Sequence, residues 1–213
     1  MKKFLLTASP VNLSNLSKTD NFPIPNFIVA KYDLYDNKAG LKSQSYFVKT
    51  YSFSLYLHSL ESISSFDERR DGYFSAMKHF HLELPQDDIY YVHYSEEESY
   101  QDIYRIFKDS PVHSTAFICD DDTIAAGALR AFHMLGYKIP EDISLIGFND
   151  RPNASLTRPS LTTINVPKGA FGTAAVDSII NLISKKQNNN CWTSSLKTRI
   201  GTQLVIRDSV KKI

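Results

Sequence analysis

The chain predicts an α/β fold, a parallel sheet flanked by helices, and three observations carry that expectation. Between about Ser65 and Asp150, short apolar runs of β character alternate with amphipathic helical runs. The connections between them are short, and the helical runs open on acids or hydroxyls that suit a helix start. Such alternation implies right-handed βαβ units on a parallel sheet.

Residues 1–60 are the least legible part. "NFIVAKYDLYD" (Asn26 to Asp36) and "QSYFVKTYSFSLYLHSL" (Gln44 to Leu60) are rich in β-branched and aromatic residues and read as strands, the second long enough to be two. From Asp67 to Phe80 a helix is expected, with Tyr73, Met77 and Phe80 on one face. "DDIYYVHY" (Asp87 to Tyr94) reads as a strand, and the helix after it places Tyr100, Ile103, Tyr104 and Phe107 on one face behind three glutamates. "STAFICD" is the next strand, followed by a helix with Ile124, Ala128, Leu129, Phe132 and Leu135 inward and Gly136 as its stop. "DISLIGFND" (Asp142 to Asp150) is a strand, Pro152, Pro159 and Pro167 punctuate the following stretch, and "LTTINV" is a short strand. A helix with Ala175, Ile179 and Leu182 on one face follows, then a loop around Trp192, and "RIGTQLVIRDSV" closes the chain as a strand.

At 213 residues the chain is long enough for a sizeable buried core. A 42% hydrophobic content and a net charge of +1 describe an ordinary globular protein and remove the strongly basic balance that binding through phosphate neutralisation would need. Cys119 and Cys191 are too few for a disulfide framework and form no CxxC pair, so a reducing cytosol is expected. The apolar run after Lys2 and Lys3 stops at Thr7, too short for an export signal. His79 and His81 lack metal-ligand spacing, and neither a phosphate-binding glycine loop nor a nucleophile motif occurs. No cofactor, metal or enzymatic chemistry is expected.

In open parallel sheets ligands bind beyond the carboxyl ends of the strands, and Tyr94, Asp120, Asp121, Asp122, Asn149 and Asp150 all fall at such ends. The three adjacent aspartates lack the spaced oxygen ligands of a calcium loop, and neighbours at a helix start cannot flank one scissile bond. At least one of them is expected to cap the helix.

"TAFICDDDTIAAGAL", "IPEDISLIGFND", "LTTI", "FGTAAVD" and "TQLVIRDSV", with "DERRDGYFSAM" upstream, resemble the LacI/GalR family of bacterial transcriptional regulators over about Ser62 to Val210. That resemblance implies a periplasmic-binding-protein-like effector domain that dimerises and binds a small molecule, a sugar in many members. It divides the chain into a partial or divergent amino-terminal subdomain (1–82), a carboxyl-terminal effector-binding subdomain (83–160), a crossover strand and helix (161–190) and a return strand (191–213). It also implies ligand contacts by Arg69, Tyr94, Asp121, Asn149 and Asp150, with Asp122 as the usual acid at the helix start. Arg69 offers a planar fork of donors to two hydroxyls or a carboxylate, Tyr94 a face for a sugar or purine ring, and Asn149 both a donor and an acceptor. Each has a bland alternative: a solvated arginine, a surface aromatic, an Asx turn ahead of Pro152.

The family's helix-turn-helix pattern does not occur, so operator DNA is expected as a partner only through a domain outside this chain. Ser99 stands where the family usually has glycine. Either the front of a longer regulator is lost or divergent, or the chain is trimmed to its effector domain, and the illegible first sixty residues weigh toward the former. Two other readings remain: a stand-alone solute receptor, and an inactive regulator fragment.

Overall fold

The run read as one long strand or two is two: β3 (Tyr46–Lys49) and β4 (Ser54–Ser59). The computed structural model describes residues 5–9, 28–31, 46–49, 54–79, 89–187 and 197–211. Ahead of β3 lie β1 (Leu5–Ser9) and β2 (Ile28–Lys31); after β4 come α1 (Ser64–His79), β5 (Ile89–Val92), α2 (Glu96–Phe107), β6 (Ala116–Cys119), α3 (Asp122–Met134) and β7 (Ser144–Asn149). A short 3-10 helix (Pro152–Ser155) leads to β8 (Thr162–Asn165), α4 (Lys168–Gln187), β9 (Lys197–Gly201) and β10 (Gln203–Val205). The loop expected around Trp192 and the helical position Phe80 lie outside the described residues.

Six strands form the central sheet in the order β10-β8-β7-β6-β4-β5, parallel throughout except for β10. The sheet crosses the subdomain boundaries drawn from the sequence at 82/83 and 160/161. Ser54 to Leu57 of β4 ladder directly onto Ala116 to Cys119, and Ile146 to Asn149 onto Thr162 to Asn165, so β4 and β8 belong with β5, β6 and β7. Separately, β1 pairs in parallel with β9, and β2 pairs antiparallel with β3.

Period-two alternation decides which side chain meets which helix. Leu55, Leu57, Phe117 and Cys119 point into one apolar cluster with Ile103, Phe107, Ile124, Ala128 and Phe132 of α2 and α3. Tyr56 and Ile118 point the other way, onto Tyr73, Ala76 and Met77 of α1. Phe117 and Phe132 stack with centroids 4.7 Å apart at the centre of the larger cluster. Truncating a side chain as buried as Leu57 costs about 2–5 kcal/mol.

The α2 face differs from expectation in one respect. Ile103 and Phe107 are buried and Tyr100 half-buried, but Tyr104 is exposed and Ser99 is the fully buried fourth position. Gly127 is the reason: a Cβ there would meet Ser99 Oγ at 2.1 Å and the Glu96 carbonyl oxygen at 2.7 Å, so the two helices touch almost backbone to backbone. On α4, Ala175 and Leu182 are half-buried, while Val176, Ile179, Ile180 and Ile183 are exposed. Among the described residues no helix is long and apolar enough to cross a membrane.

Candidate functional site

Numbered in chain order from β4 to β8, the parallel strands run 2-1-3-4-5, so the winding reverses between β4 and β6. The carboxyl ends of those two strands flank the crevice where such sheets hold ligands, and the three aspartates stand at the end of β6.

Each aspartate binds a different part of the crevice. Asp120, fully buried, accepts from Tyr56 Oη at 2.6 Å and from the Ser59 amide at 2.7 Å, and His58 Nδ1 lies 2.7 Å from its Oδ2. Asp121 is the N-cap of α3: its Oδ1 accepts from the Thr123 amide at 2.8 Å and Thr123 Oγ1 at 2.7 Å. Its Oδ2 accepts from Asn149 Nδ2, and Arg151 Nε lies 3.2 Å from Oδ1. Asp122 accepts from Thr163 Oγ1 at 2.5 Å and from the Arg151 amide at 2.6 Å. Among the described residues no cluster of three His, Cys, Asp or Glu is arranged to hold a metal.

Arg69 reaches the same crevice from α1. Its Nη1 donates to the Asp120 carbonyl at 2.5 Å and its Nη2 to Asn149 Oδ1 at 3.4 Å. The guanidinium stacks on Phe148, 3.9 Å from the ring centroid, and lies 5.1 Å from that of Phe66. Asn149 and Asp150 both adopt positive φ, 99° and 48°, turning the chain sharply at the end of β7. Asp150 is held by Arg207 Nη2 at 2.7 Å and Asn165 Nδ2 at 2.9 Å. Tyr94 packs its ring 5.5 Å from Phe66, takes Arg151 Nη2 on its hydroxyl at 2.5 Å, and donates its amide to Glu61 at 3.2 Å.

The five residues singled out from the sequence thus converge. Arg69, Asn149 and Asp121 form one hydrogen-bonded chain, and Arg151 joins Asp121 to Tyr94. Asp150 stands beside them, its carboxylate turned to Arg207. Sequence reasoning missed His58, Glu61, Arg151 and Arg207. Arg151 had a usable signal, a cation directly after a strand-end Asn-Asp; Arg207 lies 57 residues from its partner and had none.

Burial sets the titration of this region. It pushes the Asp122 carboxyl up to about 6, against the hydrogen bonds from Thr163 and the Arg151 amide. Burial, and then Asp120, drive the Tyr56 phenol well up, and burial does the same to the Cys119 thiol. Burial also opposes ionisation of Asp150, yet bonds from Arg207 and Asn165 outweigh it and hold that carboxyl below its ordinary value.

A family model described as a periplasmic binding protein-like domain matches residues 52–210. Among curated proteins, the chain is 26% identical over 84% of its length to the probable HTH-type transcriptional repressor ExuR of Bacillus subtilis, spanning 52% of that protein. It is 33% identical over 67% of its length to the HTH-type transcriptional repressor PurR of Klebsiella pneumoniae, spanning 40% of that one. The chain therefore covers about half the length of the curated relatives it matches. Among solved structures, a transcriptional regulator CelR–cellobiose complex superposes with a TM-score of 0.64 at 20% identity, over 73% of this chain and 46% of that one. The lac repressor dimer bound to operator and the anti-inducer ONPF gives 0.64 at 22%, over 74% and 52%. The chain belongs to the periplasmic binding protein-like domain family.

Proposed function

We propose that the chain is the effector-binding part of a transcriptional regulator, with a small sugar or sugar derivative as its effector. The observation that carries this reading is the convergence of Arg69, Tyr94 and Asn149 at the switch point of the sheet, a fork of donors, an aromatic face and a mixed donor and acceptor. Asp121 and Asp150 complete the site by holding Asn149, Arg151 and the turn between them. Of the solved structures that this chain resembles, one is a complex with cellobiose and another is bound to operator, which fits a sugar effector and a DNA output. The chain itself acts in the cytoplasm without catalysing a reaction and without a cofactor. It pairs as a homodimer and reaches operator DNA through a helix-turn-helix that is not among these residues. Effector binding shifts the population between conformations of different operator affinity.

A thermal-shift screen against sugars and purines tests the reading. Saturation at about a hundred times Kd stabilises by about 2.7 kcal/mol, which raises Tm by about 5–10 °C in a chain of this size. A hit whose shift persists unchanged in both Arg69→Ala and Asn149→Ala does not bind here, and the proposed site is then wrong.

A further inference from the structure

Acceptors and donors are unequally available in this crevice. Asp120 and Asp121 are fully buried and Asp122 nearly so, their oxygens taken by Tyr56, Ser59, Thr123, Asn149, Thr163 and Arg151. Asp150 is consumed by Arg207 and Asn165. The cations are placed the other way. The Arg151 side chain is 46% exposed where its partner Asp121 is 0%, and among the described residues its Nη1 engages no acceptor. Lys168, also exposed, stands at the start of α4 with Nζ 2.6 Å from the Asn149 carbonyl oxygen, so a second cation borders the same strand end.

A neutral sugar hydroxyl both donates and accepts, so it is fully satisfied only where a free acceptor stands beside the donors. Here Asp120, Asp121, Asp122 and Asp150 are turned inward, Glu61 is exposed but already accepts from the Tyr94 amide and from Ser59 Oγ, and the groups left for a ligand at the end of β7 are charged donors. The group that uses such donors without leaving a proton unpaired is an oxyanion, to which a guanidinium offers two parallel N–H bonds. Tyr94 is bonded to Arg151 through its hydroxyl, so an anion on Arg151 sits beside the ring that packs the sugar.

Resting on the effector reading above, we infer that the effector is an acidic sugar, and that Arg151 with Lys168 binds its carboxylate or phosphate and so sets specificity. Arg151 is the selecting residue; Lys168 adds charge at the rim.

The test is calorimetric titration of the full chain with two matched series, glucose, glucuronate and glucose 6-phosphate, and galactose, galacturonate and galactose 6-phosphate. One acid should bind at least about tenfold more tightly than its neutral parent, and in Arg151→Gln the affinities of acid and parent, both measured on the variant, should lie within about threefold of each other. Whether the carboxylate or the phosphate wins identifies the anion. Lys168→Gln, at an exposed position, should cost the acid about two- to fivefold, and raising salt from about 0.05 to 0.5 M should weaken the acid alone. A parent sugar that binds as tightly as its acids, or a preference that survives Arg151→Gln, overturns the inference. If Arg69→Ala still abolishes that sugar's binding, the effector reading stands without it. Failure of all six compounds to bind at about 10 mM counts against both.

Discussion

Replacing Asp122 by asparagine should change how stability depends on pH, by an amount the burial of that carboxyl dictates. The native carboxyl titrates at about 6, against 3.8 for the unperturbed group. Below about pH 4 the folded and unfolded chains both hold the proton, so the group contributes nothing to the slope. Between about pH 4 and 6 the unfolded chain has released it while the native state has not, and stability falls as pH rises. Two units at about 1.4 kcal/mol each amount to a loss of about 3 kcal/mol, complete above pH 6. Asparagine cannot titrate. Its single carbonyl oxygen can accept from Thr163 Oγ1 or from the Arg151 amide but not both, which subtracts about 1 kcal/mol at every pH. Urea unfolding of both proteins between pH 4 and 7.5 separates the two effects, because carboxyls common to both, Asp150 and Glu61 included, cancel in the difference. The parent's margin over the variant should shrink by about 3 kcal/mol across pH 4–6 and reverse its sign at neutral pH. A margin constant with pH would refute the claim that Asp122 is held protonated by burial.

Other perturbations are as direct. Gly127→Ala should destabilise by about 1–3 kcal/mol in denaturant melts despite alanine's better helix propensity, because the new methyl meets Ser99 Oγ and the Glu96 carbonyl. Asn149→Ala should cost about 1–2 kcal/mol in thermal unfolding, whereas Asn149→Gly should recover the part that comes from a φ of 99° and still lack the bonds to Arg69 and Asp121. Arg207→Gln should lose the pairing with Asp150 and the bond to the Leu161 carbonyl, costing about 1–3 kcal/mol. It should also raise the Asp150 carboxyl toward its ordinary value, since Arg207 is the main group holding it down. That makes the parent's extra stability, present at neutral pH and lost as pH falls through the native Asp150 titration, smaller in the variant. NMR titration of Asp150 reads this directly, and an unmoved midpoint would remove Arg207 as the cause.

What could be read from the sequence was what depends on neighbours along the chain. Helix starts and strand ends from α1 to α3 follow local patterns, and Tyr94, Asp121 and Asn149 stood out at strand ends, whereas Arg69, inside α1, was legible only through the family resemblance. What escaped depends on distant pairing. Nothing near Ser54 says that β4 inserts between β5 and β6. Nothing near Asp150 says that its charge is met from residue 207. Ser99 looked like a mild departure, and only the approach of Gly127 gives it a role. His58 carries no signal of its own in the sequence, yet its ring closes on Asp120 and, at 3.1 Å through Nε2, on Arg70.

Each of the three consecutive aspartates takes a backbone amide from a different segment: Asp120 from Ser59 after β4, Asp121 from Thr123 in α3, Asp122 from Arg151 after β7. Two distant loop roots and the first turn of α3 are thereby clamped to one tripeptide. A displacement imposed on any one of them is shared by the other two, so the floor of the crevice moves as a plate and not as three independent flaps. Amide hydrogens of Ser59, Thr123 and Arg151 should accordingly exchange with one common opening energy, although 92 residues separate the first from the last.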